Sequence, residues 1–478
     1  MIFMEETIFS AGIDIGTSTT QLIFSRLKME NTAGYGMTPK IEIISKEVVF
    51  KSRVHFTPLI SDSEIDAEGV RRIIEHEYEN AGFKPSDIST GAVIITGETS
   101  RKRNARAVCG AVSDFAGDFV AASAGPDLES LLAGKGSGCA LLSEKSGMLT
   151  CNFDIGGGTT NICCFFNGEA VSTACLDIGG RLVRLDADRR VTYISNKLKL
   201  LISYHDIVLE KGELLTVQKA TQICDVMAGV IFQSVGLRYQ NEDLSLMQTN
   251  HGLDLPLMPE IFTFSGGVAD CIYNDYDNPF EFGDIGVILG RVIKSSHEFN
   301  SIKTEKPLET MRATVIGAGN FCVELSGSTI EFSCCDFPYK NIPVLRLTLE
   351  GECCIDSLRN KAAEKIKAYL KSQEEACVFA LSMKGIECPS YEQIERLADE
   401  FSSLLNQGFY KNAPLIIVTQ SDMAKALGQA VRRKIPKGQP ILCIDSIACY
   451  DGDYIDVGTP VMNAKAVPVA VKTLIFSE

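Results

Sequence analysis

A chain of 478 residues is too long for one ordinary domain, and at roughly 150 residues per domain it favours two to four. The composition, with 45% hydrophobic and 22% charged residues, is that of a folded protein and excludes a disordered or fibrous chain. Because the net charge is −15 and no Lys/Arg-rich run occurs, we expect binding to neither nucleic acid nor membrane. An acidic N-terminus and the lack of any apolar run of roughly 18 residues predict a cytoplasmic location.

Cysteine is abundant, but its arrangement predicts a structural role. None of the 17 cysteines belongs to a Cys-x-x-Cys motif, so the sequence does not support a zinc ribbon or a thioredoxin-type site. Adjacent cysteines, such as Cys163 and Cys164, have a poor geometry for bridging each other or for chelating one metal. The expected state is therefore a set of buried, reduced thiols. The five histidines are scattered, without metal-binding spacing.

Two segments repeat one pattern of strand, small-residue turn and strand. Asp14 precedes the turn in residues 9–24, and Asp154 takes the same place in residues 149–166. Each aspartate is followed by Ile-Gly, then by a short Gly/Thr/Ser stretch and a β-rich run. This internal repeat at domain spacing predicts two copies of one functional unit. The turns comprise Gly16, Thr17, Ser18 and Thr19 in the first copy, and Gly156, Gly157, Gly158 and Thr159 in the second.

Between and after the repeats, strand and helix patterns alternate, which predicts an α/β architecture with largely buried sheets. A buried strand at 261–264 ends in Ser265-Gly266-Gly267, and Ser390 and Gln393 form a capping box before a helix. The predicted domains are 1–147, 148–305 and 306–478. The other predicted strands are 92–96, 119–122, 313–316, 376–379, 415–418 and 441–444, and the predicted helices are 63–82, 104–115, 126–132, 217–236 and 390–404.

The two turns have the composition of a phosphate clamp. Gly, Thr and Ser leave backbone N–H groups and hydroxyls pointing outward, so two facing turns would hold a polyphosphate from both sides. An aspartate before each turn can hold hydrated Mg²⁺, which makes Asp14 and Asp154 the candidate catalytic and metal-organising residues. Rival signatures are missing, since no P-loop motif occurs and Gly317-Ala-Gly319 lacks the third glycine of a dinucleotide site.

The ordered set of turns resembles the actin, sugar-kinase and Hsp70 ATPase superfamily. Residues 14–19 look like its first phosphate loop, residues 154–160 like its second, and residues 264–267 like its adenosine loop, while residues 175–181 resemble the Gly-Gly segment of its chaperone-like members. The resemblance implies two ribonuclease-H-like ATPase domains that close over ATP and Mg²⁺, plus an additional C-terminal α/β region. Asn161 stands where Hsp70-type ATPases have an acid, so we expect slower hydrolysis than in a metabolic kinase.

A narrower resemblance is to the ethanolamine ammonia-lyase reactivating factors. It runs from near residue 8 almost to the end of the chain, and it implies a chaperone-like ATPase that releases damaged cobalamin so that adenosylcobalamin can bind. The implied partners are ethanolamine ammonia-lyase and ATP or ADP, with residues 306–478 as the docking region and a bacterial microcompartment as an optional location. A small-molecule kinase and an actin-like filament protein stay open as alternatives. The segments that carry the resemblance are 93–99, 120–126, 313–319, 325–330, 452–460 and 467–474.

Overall fold

A computed structural model of the chain has a mixed α/β architecture, as the sequence predicts. Within the residues that it describes, no helix is long and apolar enough to cross a membrane. The described residues are 5–16, 19–32, 41–61, 64–95, 104, 108, 112, 115, 122–123, 126–249, 251–255, 257–321, 324–325, 330–347, 355, 357–371, 378–405, 407, 409–410, 413–449, 453–461 and 466–473.

The first sheet is built around the first repeat. Strands β1 (Glu5–Ile15) and β2 (Thr19–Asn31) form the predicted antiparallel hairpin, and β3 (Ile41–Lys51) pairs with β2. On the other side of β1, strands β7 (Thr90–Ile95) and β8 (Ala122–Ser123) run parallel to it. The sheet order is therefore β3-β2-β1-β7-β8. Three short strands lie between β3 and β7, namely β4 (His55–Phe56), β5 (Leu59–Ser61) and β6 (Glu64–Ile65).

Helix α1 (Ala67–Ala81) covers one face of this sheet and confirms the predicted helix at 63–82. The Gly69 N–H donates to the Asp66 carboxylate at 2.9 Å, which caps the N-terminal end. Gly82, with a φ of 73°, ends the helix in the left-handed conformation that glycine adopts readily. Tyr78 is buried in the core between the helix and the sheet. A short 3₁₀ helix (Pro85–Asp87) follows, and after β8 come helices α2 (Pro126–Gly136) and α3 (Cys139–Ser146).

The second sheet repeats the first, strand for strand. Strands β9 (Thr150–Ile155) and β10 (Thr160–Phe166) form the antiparallel hairpin, and β11 (Glu169–Leu176) pairs with β10. The order β11-β10-β9-β14-β15 matches β3-β2-β1-β7-β8 in position and in strand direction. The predicted internal repeat is therefore present in the topology. The remaining elements are β12 (Val183–Leu185), β13 (Val191–Ile194), α4 (Asn196–Ser203), α5 (Val217–Ser234), α6 (Glu242–Met247), β14 (Ile261–Ser265), α7 (Gly267–Tyr273), α8 (Gly286–Ser295), α9 (His297–Ser301) and β15 (Lys303–Thr304).

Helix α10 (Ala313–Phe321) packs against α2 and lies on the first sheet. The Ser10 hydroxyl of β1 donates to the Gly319 carbonyl oxygen at 2.7 Å, which fixes α10 on that strand. The predicted strand at 313–316 is therefore wrong. A short run of small apolar residues fits a buried strand and a buried helix equally well by pattern alone.

Glycines set the distance between α10 and α2. A Cβ atom added to Gly136 of α2 would lie 1.9 Å from the Ala313 carbonyl oxygen. One added to Gly317 of α10 would lie 2.1 Å from the Leu132 carbonyl oxygen. Both distances are far below van der Waals contact, so the two helix backbones approach as closely as they do only because these side chains are missing.

The C-terminal part forms an eight-stranded sheet in the order β16-β23-β22-β18-β19-β20-β21-β17. Its centre is four parallel strands, β18 to β21, with a helix between each pair. The predicted strands at 415–418 and 441–444 are confirmed, whereas the strand predicted at 376–379 begins at Ala380. The elements are β16 (Glu324–Leu325), β17 (Glu331–Ser333), β18 (Tyr339–Leu347), α11 (Leu358–Lys371), β19 (Ala380–Met383), α12 (Tyr391–Leu405), β20 (Leu415–Thr419), α13 (Ala424–Lys434), β21 (Ile441–Ile444), β22 (Asp453–Val457) and β23 (Pro468–Thr473).

Two local predictions are confirmed. At the start of α12, the Gln393 N–H donates to the Ser390 hydroxyl at 3.2 Å and the Ser390 N–H donates to the Gln393 side chain at 2.7 Å. The described cysteines form no disulfide bonds with one another, and most are buried. Burial raises the pKa of the Cys139 thiol to about 11, so this thiol stays protonated at neutral pH.

Three predictions fall largely outside the described residues. They concern the turn residues Thr17 and Ser18, the strand at 119–122, of which only Ala122 is described, and the helix at 104–115, of which four residues are described.

Replacing Gly317 by alanine should lower the midpoint of thermal unfolding, because the new Cβ would collide with the Leu132 carbonyl group and force α2 and α10 apart. Overpacking of this kind lowers the free energy of unfolding by about 1–3 kcal/mol. Gly229→Ala in α5 is the matched control, since its Cβ meets only the end of the Arg238 side chain and alanine favours the helix. Scanning fluorimetry measures both midpoints. An unchanged midpoint for Gly317→Ala would contradict the close packing.

Candidate functional site

The turns of the two hairpins have the same backbone hydrogen bond. In the first turn, the Gly16 N–H donates to the Thr19 carbonyl oxygen at 2.8 Å. In the second, the Gly156 N–H donates to the Thr159 carbonyl oxygen at 2.9 Å. The strands on either side also pair in the same register, because Asp14 and Asp154 occupy equivalent positions in their hairpins. The described ends of the two turns therefore have the same backbone arrangement.

Residues 179–181 support the second turn. The Gly180 N–H donates to the Gly156 carbonyl oxygen at 3.0 Å, and the Arg181 N–H donates to the Gly157 carbonyl oxygen at 2.7 Å. A Cβ atom on Gly179 would lie 2.4 Å from the Gly157 carbonyl group, so the contact requires glycine there. The segment that the sequence identified only by resemblance thus fixes the carbonyl groups of the second turn.

A segment that the sequence did not single out supports the first turn. The Thr57 hydroxyl donates to the Gly16 carbonyl oxygen at 2.8 Å and lies 3.1 Å from the Thr20 hydroxyl. Two hydrogen bonds of 2.9 Å between Ser52 and Leu22 hold the same segment against β2. No local pattern marks Thr57, because its partner Gly16 lies 41 positions away in the sequence.

Gly266 and Gly267 follow β14, beside the second hairpin. Gly266 has a φ of 88°, and a Cβ atom there would lie 2.4 Å from the Ile155 carbonyl oxygen, so both backbone conformation and space require glycine. Gly267 begins helix α7, and a Cβ atom there would meet nothing within 4 Å. This open space beside the backbone suits the close approach of a ligand, as the predicted adenosine loop needs.

Asp154 is buried, with 7% of its surface exposed, and lies at the end of a chain of hydrogen bonds. Its carboxylate accepts from the Ser265 hydroxyl at 2.7 Å and from the Thr314 hydroxyl at 3.3 Å. Ser265 in turn accepts from the Asn152 amide, whose oxygen accepts from Thr263. Burial raises the pKa of the Asp154 carboxyl to about 6, against the opposing effect of its two hydroxyl partners. The two hydroxyl groups therefore fix the orientation of the Asp154 carboxylate, but they provide no positive charge to balance it.

Both hairpins meet the N-terminal end of helix α10. Asp14 is half-buried on β1, directly opposite Gln21 on β2, and the Gln21 amide donates to the Met311 carbonyl oxygen at 3.4 Å. Thr314, in the first turn of α10, donates to Asp154 of the other hairpin. The structure thus brings the two predicted Asp-containing hairpins to one end of one helix.

The residues that precede α10 contact two parts of the site, namely Gly266 and the segment at Lys51 and Ser52, and the sequence pattern did not reveal them. The Thr310 carbonyl oxygen accepts from the Gly266 N–H at 3.0 Å. The Arg312 guanidinium donates to the Ser52 carbonyl oxygen at 3.1 Å, and Glu309 forms an ion pair with Lys51. These residues lie beside the predicted domain boundary, and their partners are far away in the sequence, so only the three-dimensional structure brings them into the site.

A second buried carboxyl lies beside residues 179–181. Burial raises the pKa of Asp284 to about 6, although the Gly286 N–H, which donates to it at 2.8 Å, and the charge of Arg181 act in the opposite direction. Burial also lowers the pKa of the half-buried Arg181, while Asp284 opposes that shift. The segment that supports the second turn therefore contains a basic side chain, Arg181, that interacts electrostatically with the acidic side chain of Asp284.

A hydrated Mg²⁺ ion fits the residues between the hairpins. Among the described residues, the partners of Asp154 are two uncharged hydroxyl groups, so no cation compensates this buried charge. Asp14 adds a carboxylate from the other hairpin. Mg²⁺ prefers oxygen ligands and is usually held by one or two carboxylates together with water and phosphates. Where the chain is described, no group of three or more His, Cys, Asp or Glu side chains is placed to hold a metal ion.

The sequence profile of the family described as "Ethanolamine utilisation protein EutA" matches residues 6–477. The chain belongs to this family. A relative named "Ethanolamine ammonia-lyase reactivase EutA", from Salmonella typhimurium, is 37% identical over 473 residues, which cover 98% of each chain. The protein of the same name from Escherichia coli is 36% identical over 471 residues, again 98% of each chain. The resemblance to the reactivating factors is therefore confirmed.

Several solved structures align with 65% of this chain at TM-scores below 0.5. A Ppx/GppA family member from Aquifex aeolicus aligns over 97% of its length with a TM-score of 0.38 and 12% identity. EutJ from Carboxydothermus hydrogenoformans aligns over 89% with a TM-score of 0.31 and 16% identity. MreB 5 of Spiroplasma citri, bound to AMPPNP, aligns over 95% with a TM-score of 0.29 and 14% identity. Likenesses at this level carry no inference about function.

The free energy of unfolding should depend on pH through Asp284. Because its pKa is higher in the folded protein (about 6) than the ordinary value of 3.8, ionisation of Asp284 destabilises the fold progressively as the pH rises from 4 to 7. The side chain of Asp284→Asn cannot ionise. The free energy of unfolding of this variant should therefore rise by up to about 3 kcal/mol relative to that of the wild type between pH 4 and pH 7. Urea unfolding at both pH values measures the difference. The exposed Asp277→Asn is the control, and equal pH profiles for Asp284→Asn and the wild type would contradict this assignment.

Proposed function

We propose that the chain is an ATP-dependent, chaperone-like reactivating factor for ethanolamine ammonia-lyase, which releases damaged cobalamin so that adenosylcobalamin can rebind. The observation that carries this proposal is the similarity, over 98% of the chain, to relatives named ethanolamine ammonia-lyase reactivase. The match extends through the C-terminal region as well as both hairpin sheets. A shared nucleotide-binding core alone would not produce a match of that extent.

The nucleotide is proposed to bind between the two hairpins. The paired turns would hold its phosphates from both sides through backbone N–H groups and hydroxyls, and the glycines after β14 would leave room for the adenosine. The shared backbone hydrogen bond of the turns and the open space at Gly267 support this placement. The proposed contact residues are Gly16, Thr17, Ser18, Thr19, Gly156, Gly157, Gly158, Thr159, Gly266 and Gly267.

Asp14 and Asp154 are proposed to organise hydrated Mg²⁺, one from each hairpin. When bound, the ion neutralises negative charge on the phosphates and on these carboxylates. Ser265 and Thr314 keep the Asp154 carboxylate in position by their hydrogen bonds. Asn161 provides no acid or base at the end of the second turn, so turnover should be slow. A slow cycle suits a chaperone, which uses the nucleotide to change shape.

Each of the three predicted domains is proposed to have its own role. Residues 1–147 and 148–305 each contribute one phosphate turn, and residues 306–478 contribute the docking region for the lyase. Helix α10, at the start of the third part, packs on β1 and α2, so it belongs structurally with the first sheet. Closure of the two hairpins on a nucleotide would therefore act on α10, which leads by direct chain connection into the C-terminal sheet.

A reactivation assay tests the proposal. Ethanolamine ammonia-lyase inactivated with cyanocobalamin is incubated with this protein, Mg-ATP and adenosylcobalamin, and recovered lyase activity is measured. We expect recovery that requires all three additions. No recovery, together with rapid ATP-dependent phosphorylation of a small alcohol, would contradict the proposal and favour the kinase alternative.

Asp154→Asn should weaken nucleotide binding mainly in the presence of metal. Removing one metal-organising carboxylate should lower the affinity for Mg-ATP by about tenfold or more, with little change for ATP in EDTA. The nucleotide-free variant should unfold at a higher temperature than the wild type at pH 7, because a buried charge is lost. Calorimetry and scanning fluorimetry measure the two effects, with the exposed Asp188→Asn as control. Equal losses of affinity with and without metal would rule out the metal role.

A further inference from the structure

Each candidate metal-organising aspartate has a side-chain amide directly opposite it in its hairpin. Gln21 pairs with Asp14 across β1 and β2, and Asn161 pairs with Asp154 across β9 and β10. Directly opposed residues of antiparallel strands project from the same face of the sheet. The repeat therefore carries two carboxylate–amide pairs, one in each hairpin.

The oxygen of each amide is buried and lacks a hydrogen-bond partner among the described residues. Gln21 is 4% exposed and Asn161 is 2% exposed, and the unpaired atoms are Gln21 Oε1 and Asn161 Oδ1. Buried polar atoms nearly always have partners, because an unpaired one has lost its hydrogen bonds to water. Two such oxygens at equivalent places of a repeat indicate a common ligand that supplies hydrogen-bond donors.

Asn152, a third buried amide, lies in the second sheet with Asn161 and shows the usual arrangement, in which both polar atoms of the side chain have partners. Asn152 accepts from the Thr263 hydroxyl at 2.8 Å and donates to the Ser265 hydroxyl at 2.9 Å, so its oxygen and its nitrogen both have protein partners. It lies on β9, two residues before Asp154 and on the same face. The lack of partners at Asn161 is therefore not a general property of amides on this face.

The two pairs meet at the same helix end. The Gln21 nitrogen donates to the Met311 carbonyl oxygen, which fixes the amide with its other end unpaired. Thr314, at the start of α10, donates to Asp154, the neighbour of Asn161. Both unpaired oxygens thus belong to carboxylate–amide pairs that are anchored on the few residues around the N-terminal end of α10.

We infer that the amide oxygens of Gln21 and Asn161 are binding groups for the metal-bound nucleotide, accepting hydrogen bonds from water molecules held by Mg²⁺. This inference rests on the proposed function. Bound metal ions keep several waters, and those waters are hydrogen-bond donors. An amide oxygen accepts such bonds without adding negative charge, whereas two further carboxylates would repel the phosphates. An amide also takes no proton from water at neutral pH, so the pairs hold the metal-bound nucleotide without speeding its hydrolysis.

The test replaces each amide by leucine, which is similar in size and apolar, and measures ADP binding by calorimetry with Mg²⁺ and in EDTA. Asn161→Leu and Gln21→Leu should each weaken Mg-ADP binding by about tenfold or more, while ADP binding in EDTA changes by no more than about twofold. Gln233→Leu in helix α5 is the matched control, because Gln233 is also a buried amide with an unpaired oxygen. Gln233→Leu should bind ADP as tightly as the wild type does, both with Mg²⁺ and in EDTA.

The unfolding midpoint of the nucleotide-free protein separates a binding role from a structural one. Asn161→Leu should keep or raise this midpoint, because it removes an unpaired polar atom, whereas loss of a structural amide would lower it. Asn161→Asp keeps an oxygen acceptor and should bind Mg-ADP within about threefold of the wild type, but should bind ADP in EDTA more weakly through charge repulsion. This variant keeps the test valid if the leucine variants do not fold.

Two results would overturn the inference. The first is unchanged Mg-ADP affinity in both leucine variants when the wild type binds Mg-ADP, which leaves the proposed function standing. The second is equal loss of Mg-ADP affinity in Asn161→Asp and Asn161→Leu. If the wild type binds no nucleotide with or without Mg²⁺, the proposed function fails, and this inference fails with it.

Discussion

Helix α10 can approach its neighbours closely only because glycine lies at each contact, and the candidate site depends on that approach. A Cβ atom on Gly12 of β1 would lie 2.5 Å from the Val315 carbonyl oxygen, and Gly136 of α2 and Gly317 of α10 allow an even closer approach between those two helices. Such packing fixes the start of α10 relative to both hairpins. Thr314 can then bond to Asp154 while the Met311 carbonyl oxygen accepts from Gln21. Interfaces this tight move between discrete arrangements and do not deform gradually, which is a property that a switch requires.

The electrostatics of the site are unfavourable in the absence of a cation. Burial raises the pKa of Asp154, and the hydroxyl groups of Ser265 and Thr314 provide direction but no positive charge. A protein selected for stability alone would not keep this carboxylate in such a place. A buried charge destabilises the protein when no ligand is bound, and a ligand that neutralises the charge restores the lost stability. Such an arrangement is typical of functional sites.

The sequence predicted the local units of this fold well and their assembly poorly. The two hairpins that carry Asp14 and Asp154, and the strand that ends before Gly266, are predictable because strand–turn–strand patterns and glycine runs are local signals. Residues 313–316 were predicted as a strand because a short apolar run has no helical period to read. Thr57 and Thr310 were missed for another reason. Each acts through a single contact with a distant residue, and one sequence carries no record of such contacts.

The repeated topology places equivalent parts of both hairpins against the start of one helix. Since the two sheets present equivalent turns, a polyphosphate between them would pull on two similar hairpins, and residues at the start of α10 contact both of them. Nucleotides that differ in phosphate number would favour different separations of the turns, and hence different positions of α10. Strand β16 begins three residues after the end of α10, so a displacement of the helix would be passed along the chain to the C-terminal sheet. Under the proposed function, neutral acceptors such as Asn161 would suit this arrangement, because slow hydrolysis would give each closed state time to act on the lyase.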